Sequence, residues 1–292
     1  MQLIHGDCQI ELSKLKSNSI DAIIIDPPYR YLKHKLDKDF DREKVFNELY
    51  RILKNDSFIC IFGRGIELYK DAIYLNDLGF NFKEEIIWDK NNSGSIFANV
   101  QRVHELCLIF TKGNKQLNRI RQDFLTYISE NGPLYALREC QTRLLGAIKR
   151  KQINEIKKYL EEGVDTYDTW RESGFGITAP KAYMSGHGIV GYIKRLNEGV
   201  RFRTILRVEI EKNRYKVPTQ KPVELLKRLI LLTTKESDTV LDCFMGSASC
   251  GKACLELNRD FVGIEIDEEY YNIAKQNIEE KQKELKERLT LK

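Results

Sequence analysis

The sequence predicts an α/β protein built on a doubly wound, mostly parallel sheet, circularly permuted and interrupted by an insertion. Three observations predict it. In the first 110 residues short apolar runs alternate with longer amphipathic stretches, the pattern of strands buried on both faces and separated by helices. Between Asn114 and Tyr215 that pattern lapses. It returns at Pro222 and runs out one strand early, while the N-terminus opens with an unclaimed strand, Leu3-Ile4, leading into Gly6-Asp7. A sheet completed by pairing its last strand with its first is what permutation produces, and termini that lie close together make it easy.

Taken in order, Ala22–Ile25 is the first strand, closed by Asp26-Pro27-Pro28. Arg42–Leu53 follows as a helix, with Val45, Phe46, Leu49, Ile52 and Leu53 on one face. Ser57–Phe62, Glu85–Trp88 and Leu106–Phe110 are further strands. Within the lapse, Gln141–Glu162 reads as an amphipathic helix. Gly174, Gly176, Pro180, Gly186, Gly188 and Gly191 then mark a loop-rich stretch. After it come a helix over Pro222–Thr233, with proline where its missing N–H costs nothing, and a strand over Val240–Phe244. A small-residue turn, Gly246-Ser247-Ala248-Ser249, leads to a helix over Gly251–Leu257. The strand Phe261–Ile266 precedes a long charged helix capped by Asp267. The organisation expected is two halves of one core, residues 1–112 and 216–292, around an inserted region, residues 113–215.

The composition is that of a globular chain with a sizeable core, 42% hydrophobic and 31% charged over 292 residues. No apolar run is long enough to span a bilayer, and the N-terminus lacks a basic-then-apolar leader, so a cytoplasmic location is expected. Seven cysteines scattered through apolar segments read as reduced thiols. Cys250 and Cys254 can share a helix face, but no partner stands at zinc-site spacing, and no metal is expected. The net charge of +5 is unevenly spread. Lys112–Lys216 holds 21 basic and 12 acidic residues, so the rest of the chain is net negative. That asymmetry points to a polyanionic partner for the insertion. Lys149, Arg150, Lys151, Lys157 and Lys158 are candidates for phosphate contact. Arg171, Lys181, His187, Arg195, Arg201 and Arg203 are candidates for reading base edges.

Three motifs carry chemistry. Asp26-Pro27-Pro28-Tyr29 ends a strand, the place where open α/β sheets bind ligands. The paired prolines fix a carboxylate beside an aromatic ring, an arrangement suited to gripping a planar amine by stacking and hydrogen bonding. Asp242-Cys243-Phe244-Met245-Gly246-Ser247 ends another strand in an acid and turns through small residues, with Gly246 allowing close backbone approach to a ligand. It has neither the lysine of a phosphate loop nor three spaced glycines. Glu265, about 20 residues on at the next strand end, stands where an acid takes ribose hydroxyls in nucleotide-type folds.

Taken together, these pieces resemble the DNA amino-methyltransferases, and specifically their permuted beta group. The match lies in the Gly6-Asp7-Cys8 opening, the Asp26–Tyr29 tetrad, Thr219-Gln220-Lys221-Pro222, the turn from Asp242 to Ser249, and Glu265. The resemblance implies a Rossmann-like S-adenosylmethionine-dependent methyltransferase fold, with the insertion as target recognition domain. Asp7, Cys8, Lys221, Asp242, Phe244, Gly246, Ser247 and Glu265 would line the S-adenosyl-L-methionine site. Within it, Glu265 would hold the ribose hydroxyls and Asp7 the cofactor's adenine amino group, with Phe244, Gly246 and Ser247 around its methionine portion. Asp26, Pro27, Pro28 and Tyr29 would be catalytic. The implied substrate is the 6-amino group of an adenine flipped out of double-stranded DNA, with cytosine N4 or RNA as alternatives, and a homodimer is implied as well. The family turn often runs Gly-Ser-Gly-Thr, where this chain has Gly246-Ser247-Ala248-Ser249.

Overall fold

The computed structural model describes residues 1–29, 40–90, 103–122, 200–201, 204–209 and 220–290. The helix expected over 141–162, the glycine-rich stretch and the basic residues singled out there lie outside the described residues, apart from the backbone of Arg201. The chain divides into two compact units, Met1–Arg119 with Arg203–Lys292, and Ile120–Phe202.

The first unit begins with strands β1 (Gln2–His5), β2 (Ile20–Ile25), β3 (Leu53–Gly63), β4 (Asn81–Asp89) and β5 (His104–Lys112). Between them lie helices α1 (Cys8–Glu11), α2 (Arg42–Ile52) and α3 (Gly65–Asp77). In the second unit, β6 (Arg121–Gln122) and β7 (Val200–Arg201) pair antiparallel. The chain then adds β8 (Ile205–Arg207), α4 (Val223–Thr233), β9 (Thr239–Asp242), α5 (Ser249–Glu256), β10 (Asp260–Glu265) and α6 (Glu268–Thr290) to the first unit.

Among the described residues, eight strands form one sheet in the order β1-β10-β9-β2-β3-β5-β4-β8. The first five in that order run parallel, and β1 pairs with β10, so the last strand of the chain joins the first. β5 runs antiparallel to both β3 and β4.

Strand alternation explains why both faces are buried. Ala22, Ile24, Phe58, Cys60 and Phe62 face one core together with Leu225, Leu229, Ala253, Ala274 and Ile278 of α4, α5 and α6. Ile23, Ile25, Ile59 and Ile61 face the other, with Val45, Phe46, Leu49 and Ile52 of α2 and Leu68 and Leu75 of α3. The N-terminal half thus supplies the helices of one face and the C-terminal half those of the other. Successive side chains of a strand point to opposite faces, so strands sandwiched this way have no position for a polar residue except at their ends.

Local chemistry sets the helix boundaries. Asp41 caps α2 by accepting the Lys44 N–H at 3.0 Å, and Asp267 caps α6 by accepting that of Tyr270 at 3.1 Å. Pro222 directly precedes α4 at φ −60°. The pattern of α3 is harder to read, because Ile66, Tyr69 and Ile73 are exposed while Asp71 is buried. Arg42 makes that burial affordable, its Nε standing 2.7 Å from the Asp71 carboxylate.

Candidate active site

The carboxyl ends of β1, β10, β9 and β2 lie side by side, and each carries one of the segments singled out in the sequence. The register aligns His5 with Glu265, Gly263 with Asp242, and Ile23 with Leu241. Asp7, Glu265, the Asp242–Ser247 turn and the Asp26–Tyr29 tetrad therefore open on one edge. Neighbouring strands are about 4.8 Å apart, so β10 and β2, with β9 between them, are separated by roughly 10 Å.

Two parts can be distinguished. In the first, the Glu265 side chain is buried and both carboxylate oxygens are anchored, one by the N–H of Gly246 at 2.9 Å and the other by that of Asp267 at 2.9 Å. A carboxylate has about four acceptor positions, so capacity remains for a ligand. Burial raises the affinity of Glu265 for a proton, and the two N–H groups work against that rise. Ile266, the next residue, is 60% exposed beside this buried acid. Gly246 has φ +51°, and Ala248 has φ +57° and ψ +38° just before α5. The position taken by alanine instead of the family's second glycine is thus left-handed, a conformation that disfavours a side chain. Asn277 of α6 steadies the turn by donating to the Ser247 carbonyl at 2.9 Å. Phe244 packs on Phe40 with ring centroids 5.1 Å apart.

Asp7 caps α1, accepting the Gln9 N–H at 2.9 Å and the Gln9 side-chain amide. Gly6 donates to the backbone carbonyl of Glu265 at 2.9 Å, which holds this turn against β10. Cys8 is buried, and its thiol neighbours that of Cys243, next to Asp242. Asp242 accepts the Phe244 N–H at 3.0 Å. Burial lifts its pKa to about 8, tempered by that N–H and reinforced by the nearby Asp26 and Glu265 carboxylates.

The second part centres on the tetrad. Pro27 is buried, and Tyr29 donates its hydroxyl to Asp26. The other oxygen of Asp26 pairs with the ammonium of Lys221, a side chain only 5% exposed. Lys221 also lies 3.4 Å from the Tyr29 hydroxyl, 5.6 Å from the Tyr29 ring centroid and 5.1 Å from that of Phe62. Its second anionic partner is Glu105, at 3.1 Å. Glu105 is in turn paired with Lys90, which sits over the Trp88 ring. Burial raises the pKa of Asp26 against the pull of Lys221, and it raises that of Tyr29 still more strongly. Lys221 holds its proton more tightly than an ordinary lysine because two carboxylates outweigh its burial.

Sequence reasoning did not find Glu105 and Lys90. Their signal was a single acid at the mouth of an apolar run and a lysine just past another. It acquires meaning only through the antiparallel register that sets Trp88 against Glu105.

Residues 20–276 match the family described as DNA methylase, the N6 and N4 methyltransferases. The Type II methyltransferase M2.DpnII of Streptococcus pneumoniae is 27% identical, over 96% of this chain and 90% of that protein. The DNA adenine methyltransferase YhdJ of Escherichia coli K12 is 26% identical, over 93% of this chain and 80% of its own length. Among solved structures, the M1.HpyAVI–SAM complex aligns with a TM-score of 0.56 at 23% identity, covering 94% of this chain and 98% of that one.

Proposed function

Because this chain belongs to the family of DNA methylases that act on exocyclic amines, and so takes its methyl group from S-adenosyl-L-methionine, we propose that its target is the 6-amino group of an adenine turned out of duplex DNA. The observation that carries the reading is the tetrad itself: an acid and an aromatic ring beside buried Pro27, on the same sheet edge as the Asp242–Ser247 turn and Glu265. Asp at its first position, where the adenine enzymes resembled here also have Asp, and kinship with a protein named as an adenine methyltransferase support adenine over cytosine.

The residues at β9 and β10 fit the cofactor. Glu265 has acceptor capacity left for a ribose diol, and Ile266 beside it offers exposed apolar surface to a planar base. Gly246 brings backbone close, and Phe244, Ser247, Asp7 and Cys8 complete the lining. When bound, the cofactor supplies an electrophilic methyl group on a positively charged sulfur. The chain's own residues do the rest. Tyr29 stacks on the extruded base, a contact that contributes about 1–3 kcal/mol. Asp26 and the Pro27 carbonyl accept hydrogen bonds from its amino group, aiming the nitrogen lone pair and favouring the positive charge that develops there. Positioning of this kind lowers barriers by about 7–11 kcal/mol. The proton leaves the nitrogen only after it has been methylated, so a strong general base is unnecessary.

The basic region 113–215 acts in this reading as the target recognition domain, which engages phosphates and reads the site in the cytoplasm, where the DNA is; a homodimer is part of the same proposal. Incubation of duplex DNA with labelled cofactor, followed by digestion to nucleosides, tests it. Label in N6-methyladenosine is expected, and label in N4-methylcytidine overturns the adenine assignment. Asp26→Ala should lower turnover by at least a hundredfold while cofactor still binds, and near-normal turnover would remove Asp26 from the site.

A further inference from the structure

Both oxygens of Asp26 are engaged in this structure. One accepts from Tyr29, and the other pairs with Lys221. A target amine can use the remaining acceptor positions of the carboxylate, but it must share an oxygen with the Tyr29 hydroxyl or with a buried cation, and the cation draws away the electron density to which the amine would donate its hydrogen bond. Lys221 has somewhere else to go, because Glu105 stands 3.1 Å away on β5 and is itself held by Lys90.

We infer that Glu105 is a positioning residue for methyl transfer: backed by Lys90, it shares the ammonium of Lys221 with Asp26 and so loosens that cation's hold on the carboxylate that receives the incoming amine. The inference rests on Asp26 being the acceptor for the target amine. It follows from the charge balance. Among the described residues two carboxylates and two lysines make a neutral cluster, and a partly buried cluster is tolerable only when each charge is compensated. Were Glu105 absent, Lys221 would give its whole charge to Asp26 and compete with the amine at full strength. Were Lys221 absent, two neighbouring carboxylates would repel, and Asp26 would take up a proton and become a much weaker acceptor.

Among the described residues, the groups facing Asp26 are Tyr29 from its own loop, Lys221 from the segment before α4, Glu105 and the Cys107 thiol from β5, and Asp242 from the end of β9. Tyr29 and Cys107 are held protonated well above neutrality. Near neutral pH the two variants therefore act on Asp26 with opposite signs. Removing the Glu105 charge makes Asp26 easier to ionise, and removing the Lys221 charge makes it harder.

The test is single-turnover methylation of a duplex containing the target, measured from pH 5 to 9 in the full-length protein. Glu105→Gln should lower the plateau and move the acid limb to lower pH, and Lys221→Gln should move it to higher pH, each by about one unit. A purely structural role would lower the plateau and leave the limb in place. The double variant Lys90→Gln/Glu105→Gln keeps the cluster neutral, covers the case in which Glu105→Gln alone does not fold, and should share the downward movement. Unmoved limbs, or limbs displaced in the same direction, overturn the inference. Asp26→Asn separates the two levels: if it retains turnover, the reading of Asp26 fails; if it is inactive while the limbs stay fixed, only the role of Glu105 fails.

Discussion

Asp242 should make the protein less stable as the pH rises, and replacing it with asparagine should abolish that trend. In the folded chain its pKa is about 8, mainly through burial, against an ordinary 3.8. Between those values the folded protein keeps a proton that the unfolded chain has lost. Stability therefore falls as pH rises, by at most about 1.4 kcal/mol per unit, and levels off above pH 8. From pH 5 to pH 7 the loss is about 2.5 kcal/mol. Asparagine has the shape of the protonated acid, and its oxygen can still accept the Phe244 N–H that Asp242 now accepts at 3.0 Å. Asp242→Asn should thus match the parent in stability near pH 4 and exceed it increasingly towards pH 8. At about 2–4 °C per kcal/mol for a chain of this size, the gap in melting temperature should widen by roughly 5–10 °C between pH 5 and pH 7. Differential scanning calorimetry of both proteins at matched pH values measures it, since every other titrating group is common to the pair. A gap that does not change with pH would refute the claim that this carboxyl is neutral in the folded protein.

Two further predictions concern neighbouring residues. Tyr29→Trp should retain measurable methylation and Tyr29→Ala should lose most of it, because the ring face, not the hydroxyl, is the proposed contact with the base; equal losses in steady-state turnover would reject stacking. Gly263→Ala should destabilise by about 1–3 kcal/mol, since a methyl there would stand 2.3 Å from the Met245 sulfur and 2.6 Å from the Phe261 ring. Because Met245 adjoins the Phe244–Gly246 turn, cofactor affinity measured by calorimetric titration should fall with it, and an unchanged affinity would show that the turn moves independently of β10.

Much of this architecture was legible because burial on two faces leaves a strong trace. The runs Ala22–Ile25 and Phe58–Phe62 are apolar at every position, since helices cover both sides of the sheet. Strand ends are where polar residues become tolerable, so Asp26, Asp242 and Glu265 stand out against apolar runs. Helix α3 was not legible, because exposed Ile66, Tyr69 and Ile73 blur its apolar stripe and buried Asp71 interrupts its other face. Asp71 looks misplaced until Arg42, 29 residues earlier, is seen beside it. Long-range ion pairs leave no local periodicity to read.

The same reasoning explains why half of the charge cluster around Asp26 escaped notice. A search for ligand-binding residues in a parallel sheet looks at the carboxyl ends of strands, because those ends share an edge. In this sheet β5 is reversed, with Leu106 opposite Gly63 at the end of β3. Its amino-terminal residues therefore reach the edge that the parallel strands reach with their carboxyl ends, and Glu105 arrives beside Lys221 from the opposite chain direction. β4, antiparallel to β5, brings Lys90 to the same edge. One reversed strand in an otherwise parallel stretch thus adds a second carboxylate to a site whose first lies on β2, and it does so without any motif that spans the two in sequence. The functional edge of such a sheet is better searched by register than by strand end.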